Sequence, residues 1–394
     1  MSEHNNAVVI VGYARTPMGN FRGELRPLTA PELGAVAIKA ALTRSGVDAH
    51  SVDEILMGCV LTACIGQAPA RQAALAAGLP LSVGCTTVNK MCGSGMKTIM
   101  LGADLIKAGS AEIIVAGGME SMSNAPYLLP KVRDGLRIGH ARVLDHLFLD
   151  GLEDPEEKRL MGCFAEDCVE KYSLSRDQQD DFAKQSLIRA QTAMKEGWFK
   201  REIAPVSYTS GGQEITVSQD EQPRVADVNK ISRLKPVFKR NGTVTAANSS
   251  GISDGAAAVV LMVESEAQRC EITPLARLVD HQTHAQEPAW FTTAPVYAIE
   301  KLLDKLQLQI SDIDLFEINE AFAAVPLAVM KDLDLPLDKI NVHGGACALG
   351  HPIGVSGARI IVTLLSALEK YDLNRGMASL CIAGGEATAM VIER

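Results

Sequence analysis

No apolar run among the 394 residues approaches the length of a membrane span, although 47% of them are hydrophobic, so no membrane association is expected. Excess positive charge is missing too. The 38 Lys and Arg stand against 47 Asp and Glu and are scattered along the chain, which argues against a nucleic-acid surface. The nine cysteines include no CxxC pair and several lie in apolar runs, so reduced thiols are expected rather than a metal centre or a disulfide framework. Met1 to Asn6 has neither the basic start nor the apolar core of a signal peptide, and Val391 to Arg394 matches no retention or peroxisomal tail; the expected compartment is the cytoplasm. The chain is too long for one ordinary domain and long enough for two large cores.

What is present centres on TTVNKMCGSGM (86–96). Thr86 to Val88 suit a strand, Gly93 and Gly95 allow a sharp turn and a close approach, and Met96 to Ala108 has helical composition. Cys92 therefore stands at a helix N-terminus, where free N–H groups and the macrodipole favour a thiolate. The dipole contributes roughly 0.3–1 kcal/mol against about 1.36 kcal/mol per pKa unit, so a thiol of pKa about 8.5 still needs a base.

Around this segment strands alternate with helices. Val8 to Val11, Asp53 to Gly58 and Ala111 to Gly118 read as strands, Ala30 to Ser45 and Ala68 to Ala77 as helices. The helix after Cys92 carries apolar residues on nearly every face, so burial all round is expected. From about Met122 to Asn248 the chain turns polar and loop-rich, with the run Asp150 to Arg159 on a solvated face. Its one amphipathic helix, Arg176 to Glu196, faces inward through Phe182, Leu187, Ala190 and Met194. This stretch reads as an insertion, and core-like sequence resumes at Gly255.

The last third repeats the first. Ala37 to Gly58 can be laid on Tyr297 to Ile318 without a gap, Ala116 to Gly118 is echoed by Ala383 to Gly385, and Gly354 to Glu369 supplies a second nearly all-apolar helix. The reading is an α/β fold of two similar halves, whose mixed or parallel sheets enclose two buried helices.

Three further segments carry reactive groups. Asn319 follows the strand Leu315 to Ile318 at a strand-to-helix turn, where a helix cap is the plain alternative. HGGACALGHPIGVSG (343–357) sets two histidines among glycines before the second buried helix; His351 is the candidate base and His343 reads as structural. Cys381 lies in an apolar strand and, from its neighbours alone, reads as a buried structural thiol. Ser250 fits a turn or a ligand contact equally. Pseudo-symmetry would bring strand ends and the starts of both buried helices together, so that a nucleophilic thiol, an imidazole and a second thiol share one pocket.

Taken together and in this order, VNKMCGSG (88–95), NEAFA (319–323), GGACALGHPIG (344–354) and CIAGG (381–385) resemble the thiolase family of acetyl-CoA acetyltransferases and 3-ketoacyl-CoA thiolases, from about Val8 to the C-terminus. The resemblance implies a five-layer α-β-α-β-α fold: an N-terminal half over 1–272, a loop domain inserted at 122–249, a C-terminal half over 273–394, and a homo-oligomeric dimer or tetramer. It implies a ping-pong condensation of two acetyl-CoA to acetoacetyl-CoA and CoA, reversible, or the same chemistry on longer 3-ketoacyl chains in a degradative enzyme. By the same resemblance Cys92 carries the acyl group, His351 takes its proton, Cys381 moves the α-proton, and Asn319 holds a water that helps His351 to stabilise the enolate. The backbone N–H groups of Cys92 and Ala383 form an oxyanion site. Ser250 and, by a weaker match, Arg224 contact coenzyme A, Met161 and Phe322 line its tunnel, and Phe291 shapes the acyl pocket. Coenzyme A enters as substrate and product; no permanently bound cofactor and no metal are expected.

The chain departs from the family in two places. The family's Cys-x-Gly-Gly-Gly pattern has Ala383 for its first glycine, which keeps the N–H donor provided that position has no positive φ. Leu160 stands before Met161, where some biosynthetic members carry histidine. Rival readings are poorer: GSG (93–95) lacks the third glycine of a dinucleotide fingerprint, a silent acyl-CoA binding protein would be expected to have lost Cys92, His351 or Cys381, and fatty-acid condensing enzymes lack the second reactive cysteine.

Overall fold

The computed structural model describes residues 7–394; the expectation for Met1 to Asn6 lies outside the described residues. Strand β1 (Val8–Arg15) leads to α1 (Ala30–Ser45), β2 (Glu54–Gly58), α2 (Pro69–Ala76), β3 (Gly84–Val88), α3 (Ser94–Lys107) and β4 (Ile113–Ser121). The inserted region holds α4 (Met161–Tyr172) and α5 (Arg176–Lys195). Then come β5 (Ser253–Val263), β6 (Ala276–Ala285), α6 (Ala294–Leu306), β7 (Leu315–Ile318), α7 (Ala324–Leu333), α8 (Ser356–Tyr371), β8 (Arg375–Ile382) and β9 (Glu386–Glu393).

The strands form one mixed sheet in the order β7-β8-β9-β6-β1-β5-β4-β2-β3. Among the described residues its two halves are joined only where Val8, Val9 and Ile10 pair with Leu278, Arg277 and Ala276. Each half has parallel pairing beside the nucleophile or base segment (β2 with β3 and β4; β7 with β8) and antiparallel pairing towards the junction. Because side chains alternate across a strand, each strand serves two layers. Val8 and Ile10 face α3 and α8 between the halves, while Val9 and Val11 face α1 and α2. In the second half Ala378 and Leu380 turn to α8, and Met377 and Cys381 turn to the outer layer built by α6, α7 and α4. The result is the five-layer α-β-α-β-α arrangement. The repeat read in the sequence is structural, since α1–β2 and α6–β7 occupy corresponding places.

Several local expectations need correction. Helix α8 is buried from Ser356 to Leu368, but α3 is not buried all round: Lys97, Leu101 and Leu105 are half-buried and Asp104 exposed, because α8 alone is enclosed on every side while α3 has an open margin. The insertion holds a second helix, α4, that its polar composition hid; Phe164, Ala165, Cys168 and Val169 supply a buried face at helical spacing. On α5, capped by Ser175 and Gln178, Met194 packs half-buried against the cluster of Leu187 and Ala190 as expected, and Ala193 adds a fully buried position beside it. Asp154 in the charged run is buried and accepts the N–H groups of Glu156 and Glu157. Finally, Gly117 and Gly118 do not end β4. The strand continues to Ser121, and the glycines serve close approach: a Cβ would stand 2.0 Å from Ala257 O at Gly117 and 2.0 Å from Gly354 O at Gly118.

Both obstacles are backbone carbonyls, which cannot rotate away. Gly118→Ala should therefore destabilise the fold by about 1–3 kcal/mol, the usual cost of overpacking. A lowered midpoint in urea unfolding checks this, and an unchanged midpoint would contradict the close packing described.

Candidate active site

The segment before α3 is built to expose a sulfur. Met91 has φ 47°, a left-handed conformation that a side chain this size adopts only when its surroundings enforce it. Ser94 enforces it: its Oγ donates to Met91 O at 2.6 Å and accepts the Lys90 N–H at 2.8 Å. Cys92 follows directly and α3 begins at Ser94, so the thiol sits just ahead of the first helical turn, as the sequence predicted. A Cβ at Gly95 would lie 2.8 Å from Ala358 N, so glycine is needed there for α3 and α8 to pack.

Cys92, His351 and Ala383 line one cavity of about 710 Å³. Met161, Phe322, Phe291 and Ser250 line its walls, so four of the five expected substrate contacts are brought together. The fifth, Arg224, is outside the lining; it pairs with Glu24 at 2.5 Å on the short helix Glu221–Val225, whose Gln222 does reach the cavity. Ser250 belongs to no turn: its N–H donates to Ala321 O at 3.0 Å, and Ala323 N–H to Asn248 O at 2.8 Å, a strand-like pairing that holds it on the wall. Cys381 and Asn319 are fully buried and absent from the lining. Asn319 caps no helix, since α7 starts at Ala324. Both atoms of its side-chain amide are without a hydrogen-bond partner among the described residues.

The protonation states follow from the surroundings. Ser356 Oγ lies 3.1 Å from Pro352 O and 2.5 Å from His351 Nδ1. Its single proton goes to the carbonyl, so Nδ1–H donates to Oγ, and Nε2 keeps its lone pair with no partner in the chain. Burial, with Arg359 nearby, lowers the His351 pKa to about 3. The Cys92 thiol is pushed up to about 11 by burial, against the opposing pull of the N–H groups of Ala383 and of Cys92 itself on its sulfur, with Glu120 adding to the rise. Burial also carries Cys381 well above an ordinary thiol. At rest this is a neutral thiol beside a neutral imidazole. Ala383 has no positive φ, whereas Gly384 and Gly385 do, at 92° and 87°; the condition set for its N–H donor is met.

Sequence reasoning missed several groups. Phe238 lines the cavity edge-on to Phe322, and a Cβ at Gly162 would collide with its ring. Glu120, buried at the end of β4, accepts the N–H groups of Val60 and Leu61 at 3.1 Å and of Gly354 at 2.9 Å, which ties the loop after His351 to the first half. Ser356, Arg359 and Glu317 were also missed. The available signal was a charge inside an apolar run, as in GARIIV (357–362) and LFEI (315–318).

Two family models match, one described as the thiolase N-terminal domain over residues 8–265 and the other as the thiolase C-terminal domain over 272–394. An acetyl-CoA acetyltransferase of Cupriavidus necator is 49% identical over 389 residues, 98% of this chain and 99% of the relative. An acetyl-CoA acetyltransferase of Escherichia coli is 49% identical over 388 residues, 98% of each. Among solved structures, the acetyl-CoA acetyltransferase of Bacillus anthracis aligns with a TM-score of 0.97 at 42% identity over all of both chains. The Acat5 thiolase of Ascaris suum in complex with coenzyme A aligns at 0.93 and 41% identity, covering 98% of this chain and 100% of that one.

A neutral thiol predicts a definite pH dependence, because the thiolate is the species that reacts. Alkylation of Cys92 by iodoacetamide should climb about tenfold per pH unit from neutrality to about pH 10. A rate already level below pH 7 would mean a thiolate–imidazolium pair instead.

Proposed function

The chain belongs to the thiolase family, and from that premise we propose that it is a coenzyme A-dependent acetyl-CoA acetyltransferase working through an acyl-cysteine at Cys92. The observation that carries the reading is the one cavity lined by Cys92, His351 and Ala383, in a chain matched over 98% of its length by acetyl-CoA acetyltransferases.

Cys92 Sγ attacks the thioester carbonyl of acetyl-CoA. His351 Nε2 takes the thiol proton as the bond forms and passes it to the departing CoA sulfur. Proton transfer accompanies attack, since a thiol held near 11 and an imidazole near 3 do not ionise one another beforehand. The carbonyl oxygen of the acyl-enzyme lies at the N–H groups of Cys92 and Ala383, the two that already converge on the sulfur, each donor contributing several kcal/mol at the transition state. In the second half-reaction the Cys381 proton passes to His351 Nε2, and the Cys381 thiolate removes the α-proton of a second acetyl-CoA, whose enolate oxygen is met by the Nε2–H of His351 and by a water on the amide of Asn319. The carbanion attacks the acyl carbonyl, and Cys92 is expelled as a thiolate that takes the proton from His351 Nε2, which restores the thiol and the neutral imidazole and releases acetoacetyl-CoA. Met161, Phe322 and Ser250 would hold the pantetheine arm, Arg224, two residues from the cavity-lining Gln222, the adenine end, and Phe291 would limit the acyl group.

The proposal extends to the wider setting. The chain divides into halves over 1–272 and 273–394 with the insertion at 122–249, needs no permanently bound cofactor, and serves fatty acid metabolism in the cytoplasm. It assembles as a dimer or tetramer. In support, β3 is a sheet edge with one side unpaired, and Leu129, Leu136, Ile138 and Val143 are exposed apolar residues on one loop.

Cys92→Ser should abolish the covalent acetyl adduct. Cys381→Ala should still accept acetyl from acetyl-CoA, as intact mass would record, and lose condensation by about a hundredfold or more, the scale of a removed acid-base group. Near-normal condensation in Cys381→Ala would sink its assigned role. Thiolysis of 3-ketoacyl-CoA of increasing length should be confined to the shortest chains; undiminished rates on long chains would favour a degradative enzyme.

A further inference from the structure

One buried ion pair touches both elements that carry the proposed enolate-binding groups. Arg359, 1% exposed, lies in the first turn of α8, three residues after the Ser356 that bonds His351. Its Nη1 donates to Glu317 Oε2 at 3.4 Å, and Glu317 stands on β7 two residues before Asn319. Arg359 Nη2 and Glu317 Oε1 have no partner among the described residues, like the Asn319 amide and His351 Nε2. Desolvating two such charges for one long bond adds little to stability, so folding alone does not explain the pair.

We infer that Arg359 is a positioning residue of this site: through Glu317 it ties the strand end bearing Asn319 to the helix start bearing Ser356 and His351, and it sets a cation beside the imidazole. The inference rests on the roles of His351 and Asn319 proposed above. Arg359 is the charged neighbour that, with burial, disfavours the imidazolium form of His351, so Nε2 stays available as a base. The same positive potential meets the charge that develops on the enolate oxygen. The other ionisable groups facing the guanidinium are Glu317 from β7 and Glu320 from the loop after it; Glu202 and Arg189 act in turn on Glu317. Glu320 is occupied by Ser186 Oγ at 2.7 Å, Asn341 Nδ2 at 2.8 Å and Cys347 N–H at 3.0 Å, which leaves Glu317 as the partner of Arg359. Burial raises the Glu317 carboxyl, with Arg359 opposing the rise, so the cation is incompletely neutralised.

The test is separable from the site assignment. Intact mass after acetyl-CoA reads the Cys92 adduct in the unaltered protein, and its absence there would remove the premise itself. With the adduct present, kcat/KM for acetyl transfer and the condensation rate are followed against pH. Arg359→Gln is expected to move the acid limb of acetyl transfer upward by about one pH unit and to lower condensation about tenfold beyond any loss in acetyl transfer. Arg359→Lys should keep the limb at its original position. A limb unmoved by Gln, or moved equally by Gln and Lys, overturns the inference. Should Arg359→Gln fail to fold in thermal melts, Glu317→Gln decides the matter, because it keeps the cation. A limb at or below the original position, with condensation within about threefold, supports the inference, and a limb moved upward overturns it.

Discussion

The carbonyl of Gly354 approaches the first half of the molecule where no side chain can stand. An added Cβ would meet it at 2.0 Å from Gly118, 2.7 Å from Gly58 and 3.0 Å from Gly95. Three glycines on three elements, β4, β2 and α3, thus form a seat for the loop that follows His351. Glu120 closes the seat by accepting the Gly354 N–H together with those of Val60 and Leu61. The proposed chemistry depends on this contact, because Cys92 belongs to the first half and His351 to the second. Backbone-to-backbone packing has no rotamers to soften it, so the relation between thiol and imidazole is fixed by the chain itself.

The same packing makes the site dry, and dryness decides its electrostatics. Burial is the largest influence on each of Cys92, Cys381, His351, Glu120 and Glu317, and in every one it favours the neutral form. Two weak acids and a weak base therefore rest uncharged, with backbone N–H groups, one tied imidazole and one buried guanidinium as fixed dipoles and charge around them. A transient oxyanion or enolate in such surroundings gains more from each donor than it would in water, and the donors need no reorganisation.

How far the sequence foretold this varies with the kind of interaction. Helices and strands with strong periodicity were legible, α1 to its terminal residues, and so was the internal repeat, since offsets of apolar residues survive divergence of identity. The cavity residues Cys92, His351, Met161, Phe322 and Phe291 were legible through motif resemblance. Helix α4 was hidden because acidic and lysine residues on its outer face outweigh a narrow apolar stripe. Glu120 and Arg359 were hidden for another reason: each acts through a partner distant in sequence or through a backbone N–H, and neither leaves a periodic trace; Ser356 acts on His351 only five residues away, but a side-chain hydrogen bond leaves no such trace either. The end of β4 was set too early, at Gly118 rather than Ser121, since a glycine that admits a neighbouring carbonyl looks in sequence like one that ends a strand.

The two halves show how one scaffold divides labour. Ser94 and Ser356 begin the two inner helices at corresponding places, and each uses its hydroxyl locally. Ser94 holds the strained Met91–Cys92 turn, whereas Ser356 fixes the tautomer of His351. In the repeat, Gly117 and Gly118 within β4 correspond to Gly384 and Gly385 in the turn after β8, as Ala116 corresponds to Ala383. At Gly118 a carbonyl of the other half occupies the space, whereas a Cβ at Gly384 in the turn would meet nothing within 4 Å, beside the cavity that Ala383 lines. The pseudo-symmetry is therefore broken where it has to be: one half gives up side-chain space so that the other can dock, and the other keeps that space open for a substrate.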